Sequence, residues 1–336
     1  MIKRRSIASA TLGLLGGATT ATAIIGRAPK AQAQEAATAF PSRAVSVVVP
    51  WAAGGSTDAF MRVLGARLST DLGRPFVIDN RTGASGTIGM ASAVRARPDG
   101  YTVIVAPNST YAIAPSLYQL QYDTARDFVG VGLLATMPIF ALVPRNSPVR
   151  SIADYVARAK QPGHREVYAN PGSGSTPHLA AEMFLQLAGI EVPDIGYRGG
   201  APAVLGVLAG EAGFIFQPVS SVISHMQSGD LRPLAVASLQ RSPVAPDVPT
   251  FAELGFPGFE VMEHIAMLAP AGTPPAILAR LNAASKAAMD VPEVRERMAT
   301  LGVTPDVRPP EAWPAYLAAE TAKWREVIRS RNIRLQ

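Results

Sequence analysis

Two short stretches rich in glycine and hydroxyl side chains are the residues best suited to chemistry in this chain: Ala52-Ala53-Gly54-Gly55-Ser56-Thr57-Asp58 and Pro171-Gly172-Ser173-Gly174-Ser175-Thr176-Pro177-His178. The chemistry is anion binding. Glycine lets a ligand approach the backbone, and the first turn of a helix leaves N–H donors unpaired, with about half a positive charge at its start. A carboxylate held between two such loops needs no lysine or arginine. Ser56 and Ser175 can add hydroxyl donors, and Ser56, Thr57 and Ser175 can equally cap the helices that follow. A carboxylate at Asp58 would repel a carboxylate ligand, so Asp58 is expected to brace its loop or hold a water. His178 sits in a first helical turn, where the imidazolium is disfavoured, and is expected to work as a neutral donor or brace.

Each loop needs a strand before it and a helix after it, and the sequence supplies both. The apolar run over 45–51 precedes the first loop, and Phe60, Val63, Leu64 and Leu68 follow it at helical spacing. Val167-Tyr168-Ala169 precedes the second, and Leu179, Met183 and Leu187 follow. Strand-helix alternation continues: strands over 76–79 and 102–106 with a helix over 88–95 between them, a strand over 139–143, and strands over 192–197, 213–217 and 234–238. Such a pattern predicts mostly parallel sheets in an α/β fold. Ser151 and Asp154 have the spacing of a capping box opening a helix to about residue 160. After a strand over 261–268, the chain reads as helical over 277–289, 294–301 and 311–331. Open α/β sheets bind ligands at the carboxyl ends of their strands, which nominates Asn108, Ser109, Thr110, Tyr197, Arg198 and Gln217 as further contacts.

Composition sets the class. Lys3-Arg4-Arg5, the apolar small-residue run over 7–25 and Ala31-Gln32-Ala33 read as a cleavable export signal over 1–33. The Arg4-Arg5 pair leaves the twin-arginine and general secretory routes both open. The chain carries 31 Lys and Arg, and the signal removes five of them (Lys3, Arg4, Arg5, Arg27 and Lys30), leaving 26 against 25 Asp and Glu. With that balance and no basic stripe interleaved with aromatics, nucleic-acid binding is not expected. The absence of cysteine in an exported chain means that stability comes from packing, and 48% apolar residues over this length suit two lobes better than one. Enzyme readings lack their motifs. Gly83, Gly86 and Gly89 do not form the dinucleotide fingerprint, no phosphate-binding lysine loop is present, and Ser173 and Ser175 lack the nucleophile elbow. His164, His225 and His264 show no metal spacing, and no cofactor or metal is expected.

Many ordered blocks together resemble one family. They include Val48-Val49-Pro50-Trp51 running into the first loop, Asn80-Arg81-Thr82-Gly83-Ala84-Ser85-Gly86, Pro98-Asp99-Gly100-Tyr101-Thr102, and Gly172-Ser173-Gly174-Ser175 with His178-Leu179-Ala180. Further along stand Tyr197-Arg198-Gly199-Gly200-Ala201-Pro202, Leu231-Arg232-Pro233-Leu234, Pro246-Asp247-Val248-Pro249-Thr250 and Ala269-Pro270-Ala271-Gly272-Thr273-Pro274. In this order they resemble the Bug family, the extracytoplasmic solute receptors of tripartite tricarboxylate transporters. The resemblance implies a two-lobed α/β periplasmic binding protein, type II-like, with the ligand cleft between its lobes. Lobe 1 would span 40–143, completed by 268–336, and lobe 2 would span 144–267.

The resemblance also implies that the ligand is a small organic carboxylate, a di- or tricarboxylate or an aromatic acid. Gly54, Gly55, Ser56 and Asp58 from one lobe and Gly174, Ser175, Thr176 and His178 from the other would hold it. The partner implied is a transporter permease in the membrane, served by a monomeric receptor. A sensor that docks on a signalling protein would use the same cleft. One departure concerns charge: relatives often carry acids near Gly213 and at Gln217, so their loss here weakens the case for an amino-bearing ligand. Ala114, where relatives usually have Asn, is a second departure.

Overall fold

The computed structural model describes residues 40–330 and 332–334, and the expected export signal lies outside them. The apolar run forms β1 (Val45–Val49). It is followed by α1 (Ser56–Leu72), β2 (Phe76–Asn80), α2 (Thr87–Ala93) and β3 (Thr102–Pro107). Helix α1 buries Phe60, Leu64 and Leu68, a stripe at four-residue spacing. It stops at Gly73, whose φ of 64° is a left-handed C-terminal cap that favours glycine. Next come a π-helical turn at Ser109–Ile113, the short α3 (Thr124–Asp127) and the long β4 (Phe128–Pro144).

The second half runs α4 (Ile152–Ala159), β5 (Tyr168–Asn170), α5 (Thr176–Ala188), β6 (Asp194–Gly196), α6 (Gly200–Leu208), β7 (Phe214–Pro218), α7 (Val219–Gln227) and β8 (Leu231–Val236). Strand β9 (Met262–Pro270), helices α8 (Pro275–Asp290) and α9 (Pro292–Thr300), the two-residue β10 (Thr304–Pro305) and α10 (Trp313–Ser330) complete it.

Strand β4 joins two sheets. Up to Pro138 it lies antiparallel to β9, and from Ile139 it lies between β7 and β8, antiparallel to both. The first sheet therefore reads β2-β1-β3-β9-β4 and the second β6-β5-β7-β4-β8. Each is a parallel trio flanked by antiparallel strands, so the expected mostly parallel sheets are mixed ones. The chain returns near Val261, whose N–H donates to Ala237 O at 2.8 Å.

Three elements depart from the sequence reading. Residues 128–138 are strand as well as 139–143. Glycines hide that periodicity: Gly130 lies under Trp313, where an added Cβ would come within 2.2 Å of the ring, and Gly132, at φ 150°, sits at a register shift. Helix α7 begins directly after Pro218 with no polar cap to announce it. The segment after β3, to which the sequence reading assigned no helix, is a π-helical turn. Of the expected capping box, Ser151 Oγ accepts from Asp154 N–H at 3.0 Å, while the Asp154 carboxylate accepts from Arg150 N–H instead.

Aromatic rings fill the core of the second sheet. Tyr155 stacks on Phe214 at 4.1 Å between centroids, and Phe216 on Phe251 at 5.6 Å. Burying each such ring stabilises the fold by about 1.5–3 kcal/mol relative to leaving it exposed. The result for function is two rigid sheets whose loops face one another.

Candidate functional site

In each sheet the chain turns out of the middle strand of the trio, β1 or β5, to one side and later returns on the other. The carboxyl ends of β1 and β3, and of β5 and β7, are therefore where a doubly wound sheet opens a crevice. A small, partly open cavity of about 30 Å³ lies where these ends meet. It is lined from β1 by Trp51, Ala52, Gly55, Ser56 and Thr57 and from β3 by Pro107 and Ser109. Pro171, Ser175 and Pro177 line it after β5, Gly200 after β6, Gln217 and Pro218 at the end of β7, and Glu263 from β9. That volume accommodates about two waters, so the lobes must part to admit an organic acid. A larger groove of about 880 Å³, lined by Phe128, Trp313 and Leu317 among others, takes no residue from either glycine loop.

The two loops have the same construction. Gly54 and Gly174 both adopt the left-handed region, with φ 79° and 80°. The next residue is the helix N-cap: Gly55 (φ −75°, ψ 173°) in the first loop and Ser175 (φ −70°, ψ 158°) in the second. Gly55 N–H donates to Ala52 O at 3.2 Å, and Ser175 N–H to Gly172 O at 2.9 Å. Each left-handed glycine gives its N–H to the side chain four residues on. Gly54 donates to Asp58 Oδ2 at 2.9 Å, and Gly174 to His178 Nδ1 at 3.1 Å. The helix-start N–H groups of Ser56, Thr57 and Thr176 precede the first intrahelical bond and are directed out of the helix.

This geometry separates the residues nominated from the sequence into three groups. Gly55, Ser56, Ser109, Ser175 and Gln217 line the cavity. Gly54, Asp58, Gly174 and His178 stand behind it as braces. Asp58 is 1% exposed and also accepts from Arg62 Nε at 2.7 Å and Asn80 Nδ2 at 3.2 Å. Because His178 Nδ1 accepts a hydrogen bond, its ring is neutral with the proton on Nε2, and burial lowers its pKa. Asn108, Thr110 and Thr176 tie the frame together: Thr176 Oγ1 donates to Asn108 Oδ1 at 2.8 Å across the sheets, and Trp51 Nε1 donates to Thr110 Oγ1 at 2.9 Å.

Tyr197 lies outside the cavity, its hydroxyl donating to Glu211 Oε2 at 2.6 Å. Arg198 is likewise absent from the lining. Ser56 does not cap α1, since Gly55 holds that position, and its hydroxyl instead donates to Glu263 Oε1. Ser175 does cap α5, accepting from His178 N–H at 3.3 Å.

Two lining features escaped the sequence reading. Trp51 covers the loop, its ring lying against Gly172 of the opposite sheet. Glu263 is 4% exposed, and burial pushes its carboxyl pKa up to about 7 against the opposing pull of the Ser56 hydrogen bond. A lone acid in a mostly apolar strand was the signal that could have found it. Gln217 Oε1 accepts from Ser221 Oγ at 3.2 Å, and its buried Nε2 has no partner among the described residues.

The sheets are latched beside the cavity. Ser85 Oγ and Tyr118 OH both donate to Ser173 O, each at 2.5 Å. Ser85 and Ala84 hold φ of 51° and 45°, a strained backbone for non-glycine residues of the kind found at ligand clamps.

Comparison with known proteins agrees with this arrangement. The family model described as "Tripartite tricarboxylate transporter family receptor" matches residues 60–333. BugT of Bordetella pertussis is 33% identical over 299 residues, covering 88% of this chain and 92% of that protein. Among solved structures, R. palustris Rpa4515 with adipate superposes with a TM-score of 0.85 at 33% identity, covering 88% of this chain and 99% of that one. MatC from Rhodopseudomonas palustris with bound malate gives 0.80 at 32%, covering 86% and 100%. The two solved relatives hold adipate and malate, and two braced helix starts beside one crevice are a device for holding a solute. The chain belongs to the Bug family, the periplasmic receptors of tripartite tricarboxylate transporters.

Proposed function

We propose that the protein is exported, loses residues 1–33, and as a monomer captures a small organic carboxylate in the cleft for delivery to the permease of a tripartite tricarboxylate transporter. The observation that carries this reading is the pair of matching loops. Each sets a helix start beside the same crevice, through Gly55, Ser56 and Thr57 in one and Ser175 and Pro177 in the other, and no Lys or Arg lines it among the described residues. Charge-assisted bonds from backbone N–H to carboxylate are stronger than neutral ones, and a closed, dewatered cleft strengthens them further. Several such bonds support micromolar affinity, about 8 kcal/mol. The adipate and malate held by the two relatives support the ligand class.

In this reading the lobes divide where β4 and the return segment change sheets, at Pro138–Ile139 and Val261–Met262. Residues 139–143 then belong to lobe 2 and 262–267 to lobe 1. A thermal-shift screen of the protein, unfolded and refolded to free any retained solute, against mono-, di- and tricarboxylates, aromatic acids and amino acids tests the reading. A rise in Tm confined to carboxylates is expected, and a flat response to all of them would contradict it.

A further inference from the structure

Glu263 is the one ionisable side chain among the residues that line the cavity. Its Oε1 accepts from Ser56 Oγ, and its Oε2 makes no hydrogen bond among the described residues. Other polar groups of the lining can donate: the Ser109 and Ser175 hydroxyls, the helix-start N–H groups of Ser56 and Thr57, and the unpartnered Gln217 Nε2. Such a wall suits an acceptor-rich ligand, and an ionised Glu263 is the single group that opposes one. Two anions side by side in this cavity, with no cation on its wall, repel, and the more so the less water remains between them. Protonation removes the conflict and turns Oε2 into one more donor.

We propose that Glu263 is a specificity-determining residue that enters the ligand complex as the neutral acid, so that an anionic carboxylate is captured together with one proton. The inference rests on the carboxylate-receptor reading above. The proton comes from solvent, resides on Oε2 and is shared with a ligand oxygen, and no bond in the ligand breaks. Burial already raises the Glu263 pKa in the ligand-free protein, which lowers the cost of that proton.

The titratable neighbours are few. Asp58 on α1 is matched by Arg62. Tyr111, in the turn after β3, has its pKa raised chiefly by burial, with Glu263 as a smaller contributor. His264, the next residue of β9, points to the other face, where its ring meets Tyr316 at 2.9 Å and lies 3.8 Å from Glu320. From β4, the register partner of Glu263 is the apolar Met137.

Calorimetric titration of the purified protein with adipate, malate, succinate and aspartate, in buffers of different ionisation enthalpy between about pH 6.5 and 8.5 where their carboxyl groups are ionised, reads the proton directly. Wild type is expected to take up close to one proton per ligand above pH 7, its affinity weakening about tenfold per pH unit there. Glu263→Gln, a neutral donor of the same shape, is expected to bind with no proton uptake and a flat pH profile. Wild-type binding without proton uptake would overturn the proposal. So would a Glu263→Gln protein that loses affinity while wild type prefers aspartate without taking up a proton, because Glu263 would then be pairing as a carboxylate with an ammonium. If neither protein binds any carboxylate while both remain folded, the receptor reading fails and this proposal fails with it. Should Glu263→Gln not fold, the buffer dependence of wild type decides alone.

Discussion

Replacing Asp58 by alanine separates a brace from a ligand contact. The carboxylate holds the left-handed Gly54 through its N–H at 2.9 Å, and removal leaves that donor without its partner, a cost of about 1–3 kcal/mol. The Arg62 guanidinium is 60% exposed and regains water, so loss of that pair costs about 0–1 kcal/mol. Losing a negative charge from the first turn of α1 costs about 0.3–1 kcal/mol. Asn80 keeps a partner in Trp51 O at 3.0 Å and adds little. The total, about 1–5 kcal/mol, corresponds to a fall in Tm of about 2–8 °C for a chain of this size. Asp58→Asn, which retains one acceptor for Gly54, is expected to lose about half as much. Thermal unfolding paired with ligand titration is the assay. The brace predicts a large loss of Tm with affinity reduced about tenfold at most. An unchanged Tm with abolished binding would refute it, since Asp58 would then be touching the ligand.

Three further outcomes follow from the same geometry. Ser175→Ala is expected to cost about 1 kcal/mol of stability as a lost cap and a further 1–3 kcal/mol of binding where its hydroxyl meets the carboxylate; affinity equal to wild type would reduce Ser175 to a cap. Ser85→Ala removes one of the two donors to Ser173 O across the sheets and is expected to weaken affinity about three- to tenfold while lessening ligand-induced compaction in solution scattering; unchanged values for both would show that this contact does not hold the closed form. Burial lowers the pKa of His178 and His264 below the 6.5 of a free histidine, so their contribution to stability is present above that pH and lost as pH falls. The raised pKa of Glu263 gives the opposite slope between 4.5 and about 7, so the test is made in Glu263→Gln. There, denaturant unfolding should show stability falling from about pH 7 toward 5, and a rise on acidification would contradict the assignment.

Local signals carried much of this architecture. Both glycine loops were legible because a strand, a left-handed glycine and a helix start leave a dense local pattern, and His178 as a neutral brace followed from its place in a first turn. What the sequence concealed depends on distant partners. Residues 128–138 of β4 are masked by Gly130 and Gly132, whose presence answers to Trp313 and to the Arg308 carbonyl, both far along the chain. Glu263 reaches the cavity only because β9 returns beside β4 and aims alternate residues at Ser56. Tyr197 was nominated for standing at a strand's carboxyl end. Its ring, however, packs on Gly206, where an added Cβ would come within 2.1 Å of the hydroxyl. Position along a strand predicts the end of the sheet at which a residue lies, and packing decides which way its side chain points.

The central claim is that the first loop is half of the cradle, and Gly55 tests it most directly. Its φ of −75° suits any residue, and an added Cβ would lie 3.2 Å from Ala52 O at the edge of the cavity. Titration of wild type and Gly55→Val with the carboxylate that most raises Tm should show binding in the first and none in the second, with unfolding cooperative in both. Equal affinity in the two proteins would contradict the account.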